Sequence, residues 1–125
     1  MTTFKNFVEL SKFMFDTYGV KADFPFKDDS ETAVFRHKSS GKKAGKWFCL
    51  FMRIPQSIFG EIGNKTISVI NLKCDPELAV ILHDNKGIFP AYHMNKKHWI
   101  SVILDAVPKS QVEDLIGESW NLTKK

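Results

Sequence analysis

Apolar residues recur near every third or fourth position at the start of the chain, at Phe4, Phe7, Val8, Met14, Phe15 and Tyr18. This spacing predicts an amphipathic helix from Thr3 to Tyr18 whose aromatic stripe is core material. Thr2 or Thr3 is placed to cap it, and Gly19 offers a left-handed exit. Val20 to Glu31 reads as a loop: Pro25 biases Phe24 towards extended backbone, and Phe24 and Phe26 are expected to anchor the loop to the core. Its acids read as a solvated face.

The period then shortens to two. Ala33–Arg36 and Lys46–Ile54 predict a hairpin joined by the turn-rich Ser39-Ser40-Gly41-Lys42-Lys43-Ala44-Gly45. Strict alternation puts Trp47, Cys49, Phe51 and Arg53 on one face of the second arm, and Phe48, Leu50, Met52 and Ile54 on the other. A strand apolar on both faces belongs inside a sheet rather than at its edge. Gln56–Asn64 reads as a loop, with Ile58 and Phe59 turned inward, and Thr66–Lys73 alternates as a half-buried strand. Asp75 and Pro76 suit the cap and first position of a short helix with Leu78, Ile81 and Leu82 facing inward, ending near Asn85-Lys86-Gly87. Trp99–Asp105 alternates again and Pro108 breaks it. Ser110 and Glu113 fit a capping box, and Val112, Leu115, Ile116 and Trp120 give a C-terminal helix with Lys124 and Lys125 at the negative end of its dipole. These elements predict a single α+β domain over residues 1–125: an antiparallel β-sheet of about four to six strands with helices packed on one face.

Composition narrows the class. A chain of 125 residues with 43% hydrophobic and 26% charged residues is neither disordered nor membrane-embedded. No apolar run approaches the ~20 residues of a spanning helix. The opening Met-Thr-Thr-Phe-Lys-Asn lacks a signal-peptide pattern, and Cys49 and Cys74 stand far apart, so unpaired thiols and a cytoplasmic location are expected. The net charge of +4 is unevenly spread: residues 32–53 carry +6 with no acid, residues 86–98 carry +3, and the remainder sums to −5. That asymmetry concerns partners rather than fold.

The densest chemistry lies between Gly87 and Asp105, where Tyr92, His93, Lys96, Lys97, His98 and Trp99 fall within eight positions. His93 and His98 are five apart, and Cys74 and His83 lie at no zinc spacing, so neither a metal nor another cofactor is expected. Cys49 sits in an apolar strand, where a thiol is usually inert. No phosphate loop, paired carboxylates or nucleophile elbow is present, which argues against an enzyme and leaves no catalytic residue to name. Trp47 and Trp99, each within a strand, read as structural.

Three phrases in order resemble a known family. Pro90-Ala91-Tyr92-His93-Met94-Asn95-Lys96-Lys97-His98-Trp99, Gly19-Val20-Lys21-Ala22-Asp23-Phe24-Pro25-Phe26 and Leu72-Lys73-Cys74-Asp75-Pro76-Glu77 are similar to those of the MmcQ/YjbR-like proteins. Ser119-Trp120 stands where that family has Ser-Tyr, and Lys46-Trp47-Phe48-Cys49 fits its Lys-Met-Phe-Ala phrase loosely. The resemblance implies a frataxin-like (CyaY-like) fold and a double-wing DNA-binding surface. Frataxin-like iron binding is not implied, because Glu9 and Asp16 are too sparse for an acidic ridge. The expected function is non-enzymatic binding of double-stranded DNA through the phosphate backbone, with low sequence preference, by a monomer that does not engage membranes. Arg36, Lys38, Lys42, Lys43 and Lys46 would form one basic wing, and His93, Lys96, Lys97 and His98 the second. The alternative is a small-molecule or protein-binding module with a Tyr92/His93/Lys96/Trp99 pocket.

Overall fold

The computed structural model describes residues 2–29, 31–39, 41–60, 65–84 and 86–124. Expectations at Ser30, Ser40, Gly63, Asn64, Asn85 and Lys125 lie outside the described residues. Helix α1 (Phe7–Tyr18) begins later than its apolar stripe, because Asn6 rather than a threonine caps it, its Oδ1 accepting from the Glu9 N–H at 3.0 Å. It leaves through Gly19 at φ 68°, as the sequence predicts. Strands β1 (Ala33–Arg36), β2 (Trp47–Pro55), β3 (Thr66–Lys73), β4 (Ile88–Pro90) and β5 (Trp99–Ile103) form one antiparallel sheet in the order β1-β2-β3-β5-β4. Helix α2 (Pro76–Leu82) joins β3 to β4, with Asp75 capping it and Pro76 in its first turn. Helix α3 (Lys109–Thr123) follows β5. The Ser110–Glu113 capping box does not form: Pro108 occupies the cap position, and the Lys109 N–H instead donates to Thr2 O at 2.7 Å.

The helices lie on one face of the sheet, over a core of Phe4, Leu10, Met14, Phe35, Phe48, Ile70, Leu72, Ile100, Val102 and Ile116. The opposite face carries a second apolar cluster, Val34, Leu50, Met52, Ile54, Ile67, Val69, Phe89 and Ile103, flanked by half-buried Trp47, Phe59, Tyr92 and Met94. The helix faces are narrower than the sequence pattern suggests. Val8 and Phe15 on α1, and Ile81 on α2, point to solvent, and Leu10 and Ala79 are the buried residues instead. Phe24 and Phe26 are also more exposed than anchors would be; Phe24 leans on Phe7 and Phe26 on Trp47.

One departure reorganises β2. Phe35 pairs with Cys49 but Arg36 pairs with Trp47, so Phe48 is an extra residue, a β-bulge. The alternation therefore breaks: Phe48, Cys49 and Phe51 all face the helices, while Trp47 joins Leu50 and Met52 on the far face. Continuing the β2–β3 register beyond Cys49 and Leu72 would set Phe48 opposite Lys73. Ser119 of α3 stands between them. Its Oγ accepts from the Lys73 N–H at 2.9 Å and donates to Phe48 O at 2.5 Å, so a buried hydroxyl replaces a ladder bond.

Candidate nucleic-acid interface

Topology brings the two basic segments to the same end of the sheet. The start of β2 pairs with the end of β3, which pairs with the start of β5, through Cys49, Leu72 and Ile100. The hairpin tip and the Tyr92–His98 loop thus leave that end one strand apart, about 10 Å at the usual strand spacing. Lys38, Lys42, Lys43, Lys46, Lys96 and Lys97 are all exposed there. Lys124, at the end of α3, joins them near His37. Asp75 and Glu118, whose charges act on Cys74, bound the region on the helix side.

The remaining predicted wing residues are committed to the fold to differing degrees. Arg36 pairs with Asp23 at 2.6 Å and lies over the Trp47 ring, so its charge is largely spent within the protein. Lys96 folds across its own loop to donate from Nζ to Ala91 O at 2.8 Å. His98 is half-buried and its carbonyl accepts from the Cys74 N–H, while its own N–H donates to Asn95 O. His93 is exposed and holds the left-handed conformation at φ 60°, uncommon for a residue other than glycine, with its ring 3.9 Å from that of Tyr92. The loop keeps this shape because the Tyr92 main chain is tied to the sheet. Its N–H donates to Ser101 Oγ, its carbonyl accepts from Asn71 Nδ2, and Ser101 Oγ donates to Asn71 Oδ1, all with Asn71 and Ser101 fully buried.

His37 is the residue that sequence reasoning missed. Its ring packs at a 32° tilt against that of Trp120, with centroids 4.0 Å apart, beside Phe48, and its Nε2 lies 2.8 Å from Thr123 Oγ1. Thr123 gives its own proton to Ser119 O, so its oxygen accepts from a His37 Nε2–H. This contact fixes the foot of the basic hairpin on the last turn of α3. Nothing within five residues of His37 signals it, because Trp120 and Thr123 arrive from the far end of the chain. Burial holds the imidazole pKa below its ordinary value, and the Lys124 and Lys46 charges add to the effect against a hydrogen bond to the Trp120 carbonyl, which raises it. Below the ordinary value of 6.5 the unfolded chain therefore takes up a proton that the folded one refuses. Stability should fall as pH falls through that window. Thermal melts from about pH 7 down to pH 5.5 should show a smaller drop for His37→Gln, which keeps a donor for Thr123 without titrating; equal drops would dissociate His37 from the acid sensitivity.

The thiols have no reactive environment. Cys49 and Cys74 are both free and buried, and burial pushes both pKa values up, with Asp75 and Glu118 adding to the rise at Cys74. Among the described residues, no three His, Cys, Asp or Glu side chains gather to hold a metal ion, and no helix is long and apolar enough to cross a membrane.

On the far face of the sheet, a cleft of about 510 Å³ is lined by Phe26, Trp47, Leu50, Met52, Ile54, Tyr92, His93 and Met94. Arg53, Asp29 and Thr32 complete its rim. Of the four residues expected to build a pocket, Tyr92 and His93 line it. Lys96 is turned back to Ala91, and Trp99 heads β5 opposite Lys73 outside the lining.

A five-stranded antiparallel sheet with three helices on one face, basic at one end, defines a small α+β protein of a recognisable kind. The family model YjbR matches residues 16–122, and the chain belongs to that family. It is 35% identical over 117 residues to the Bacillus subtilis (strain 168) protein YyaQ, covering 93% of this chain and 96% of that one. A crystal structure of a Pseudomonas syringae protein superposes with a TM-score of 0.88 at 38% identity, over 96% of this chain and 100% of that one. A crystal structure of a Deinococcus radiodurans protein superposes at 0.73 and 29% identity, over 99% and 82%.

Proposed function

We propose that the protein binds double-stranded DNA through its phosphate backbone, with little sequence preference and without catalysis, as a monomer in the cytoplasm. The observation that carries this reading is the convergence of two basic segments, far apart in sequence, at one end of the sheet. Lys38, Lys42, Lys43 and Lys46 project from a hairpin with glycine at both ends of its turn, and Lys97 projects from the adjoining loop. Lysines at loop tips meet phosphates as mobile point charges, which suits register-free contact with the backbone. Exposure and internal pairing favour a smaller contact set. Lys38, Lys42, Lys43, Lys46 and Lys97 are the principal phosphate contacts, Lys96 and His93 contribute at the edge, and Arg36 and His98 support the surface from within. The small-molecule reading has less support, since Lys96 and Trp99 do not line the cleft.

The test is the salt dependence of duplex binding. With four to six phosphates neutralised, log affinity should fall linearly with log salt at a slope of roughly −4 to −5. The slope should be the same for duplexes of unrelated sequence, and Lys42→Ala with Lys43→Ala should make it shallower by up to about two units. An absence of duplex association at low salt, where any basic surface should bind, would overturn the proposal.

A further inference from the structure

The walls of the far-face cleft are the roots of the two basic segments. Trp47 follows Lys46 directly, and Tyr92, His93 and Met94 begin the loop that carries Lys96 and Lys97. DNA held by both segments therefore passes the mouth of the cleft. Two aromatic pairs line the cleft: Phe26 meets Trp47 edge-on at 5.9 Å, and the Tyr92 and His93 rings lie 3.9 Å apart at a tilt of 43°. Met52 adds a polarizable thioether. Such surroundings favour a flat π-system over an aliphatic chain. Arg53 and the Thr32 and Asp29 oxygens at the rim can meet polar edges of a heterocycle. Asp29, already bound to the Thr32 hydroxyl and the Glu31 and Thr32 N–H groups, keeps a negative charge on that rim, which repels phosphate and leaves the sugar–phosphate chain on the lysine side.

The left-handed backbone of His93 supports the same reading. A residue held in that conformation is strained unless its surroundings dictate it. Here the buried Asn71–Ser101 pair fixes Tyr92 just before it, so the tilted Tyr92/His93 pair is in place before any ligand arrives.

We propose that this cleft takes a single unpaired base against its Trp47 and Tyr92 rings, so that the protein prefers DNA containing an unpaired nucleotide to fully paired duplex. This inference rests on the backbone-binding reading above. A base inside a duplex cannot reach the cleft without leaving the stack, which costs energy that an already unpaired base does not spend.

The experiment compares three fluorescein-labelled probes by anisotropy: a fully paired duplex, the same duplex with one unpaired adenine, and the single strand alone. The unpaired-adenine probe should bind roughly 5- to 150-fold more tightly than the paired duplex, the range that stacking one base on aromatic side chains produces. Tyr92→Leu should abolish that preference while leaving the paired duplex unaffected, because the Tyr92 anchoring bonds are made by its main chain. Phe26→Leu, at an exposed rim position, provides a second variant if Tyr92→Leu melts early, and should reduce the preference in the same way. Equal affinity for paired and unpaired probes would overturn the inference and leave backbone binding standing. An equal loss on all probes for the two cleft variants would also overturn it. No binding to any probe would overturn both readings.

Discussion

Replacing Phe48 by alanine is expected to lower the unfolding free energy by about 3–5 kcal/mol, the range for truncating a fully buried aromatic residue. Against the 5–15 kcal/mol of a typical domain, this is a large share. Phe48 is the bulge residue of β2, and its ring lies 5.7 Å from Tyr18, 5.3 Å from His37 and 4.9 Å from Trp120. Its removal opens a void where α1, α3 and the hairpin foot meet. The bond from Ser119 Oγ is made to the Phe48 carbonyl, so the substitution isolates the ring's contribution from that of the bridging hydroxyl. Urea unfolding should show a lower midpoint with an unchanged slope, the mark of lost stability rather than an altered denatured state. A loss below about 1 kcal/mol would mean that the site collapses around the smaller side chain and that the bulge carries no packing role.

Gly45→Ala is the second large effect, and its sign is decided by space rather than backbone freedom. Gly45 is not among the glycines of positive φ, which are Gly19, Gly41 and Gly60 among the described residues. At a compatible position, alanine would stabilise by about 0.4–1 kcal/mol through the unfolded chain. Here the added Cβ would lie 1.7 Å from the His37 carbonyl oxygen and 2.3 Å from its carbon, both backbone atoms that no side-chain rotation can move aside. The strand must shift, which endangers the 2.9 Å bond from the His37 N–H to Lys46 O and the packing of His37 against Trp120. The expected cost exceeds the roughly 1–3 kcal/mol of an overpacked interior. Displacing the Lys38–Lys46 tip should also weaken duplex binding and flatten its salt slope. A melting temperature at or above that of the parent would show that the hairpin tip adjusts freely, and would remove the basis for treating it as a positioned wing.

Much of the architecture follows from local pattern. Thr66–Lys73 reads as a strand because its residues alternate, although as the central strand it is buried on both faces rather than half-buried; the Asp75-Pro76 cap and the Gly19 exit follow from residue chemistry that acts within one turn. Alternation fails at Trp47–Phe48, because a bulge adds one residue and reverses the faces of everything before it, and nothing in the local sequence marks that insertion. Ser110 and Glu113 match a cap, but Pro108 and the Thr2 carbonyl take over that end of α3. The apolar stripe of α1 is wider than its buried face, since Val8 and Phe15 meet solvent where no neighbour covers the helix.

By itself the sequence determined the element types apart from the short strand β4, the α+β class, the two basic segments and the absence of any reactive cysteine spacing, because each depends on periodicity, composition or neighbouring residues. The tertiary structure decided that the basic segments leave the same end of the sheet, since this depends on β3 lying between β2 and β5. It also decided that His37 is locked by Thr123, that Arg36 is paired with Asp23 and Lys96 folded onto Ala91, and that Trp47 and Tyr92 line one cleft. Each of these is a contact between residues brought together by strand pairing or helix docking rather than by local pattern. Such contacts fix which charges remain free for a partner and which are consumed in holding the fold.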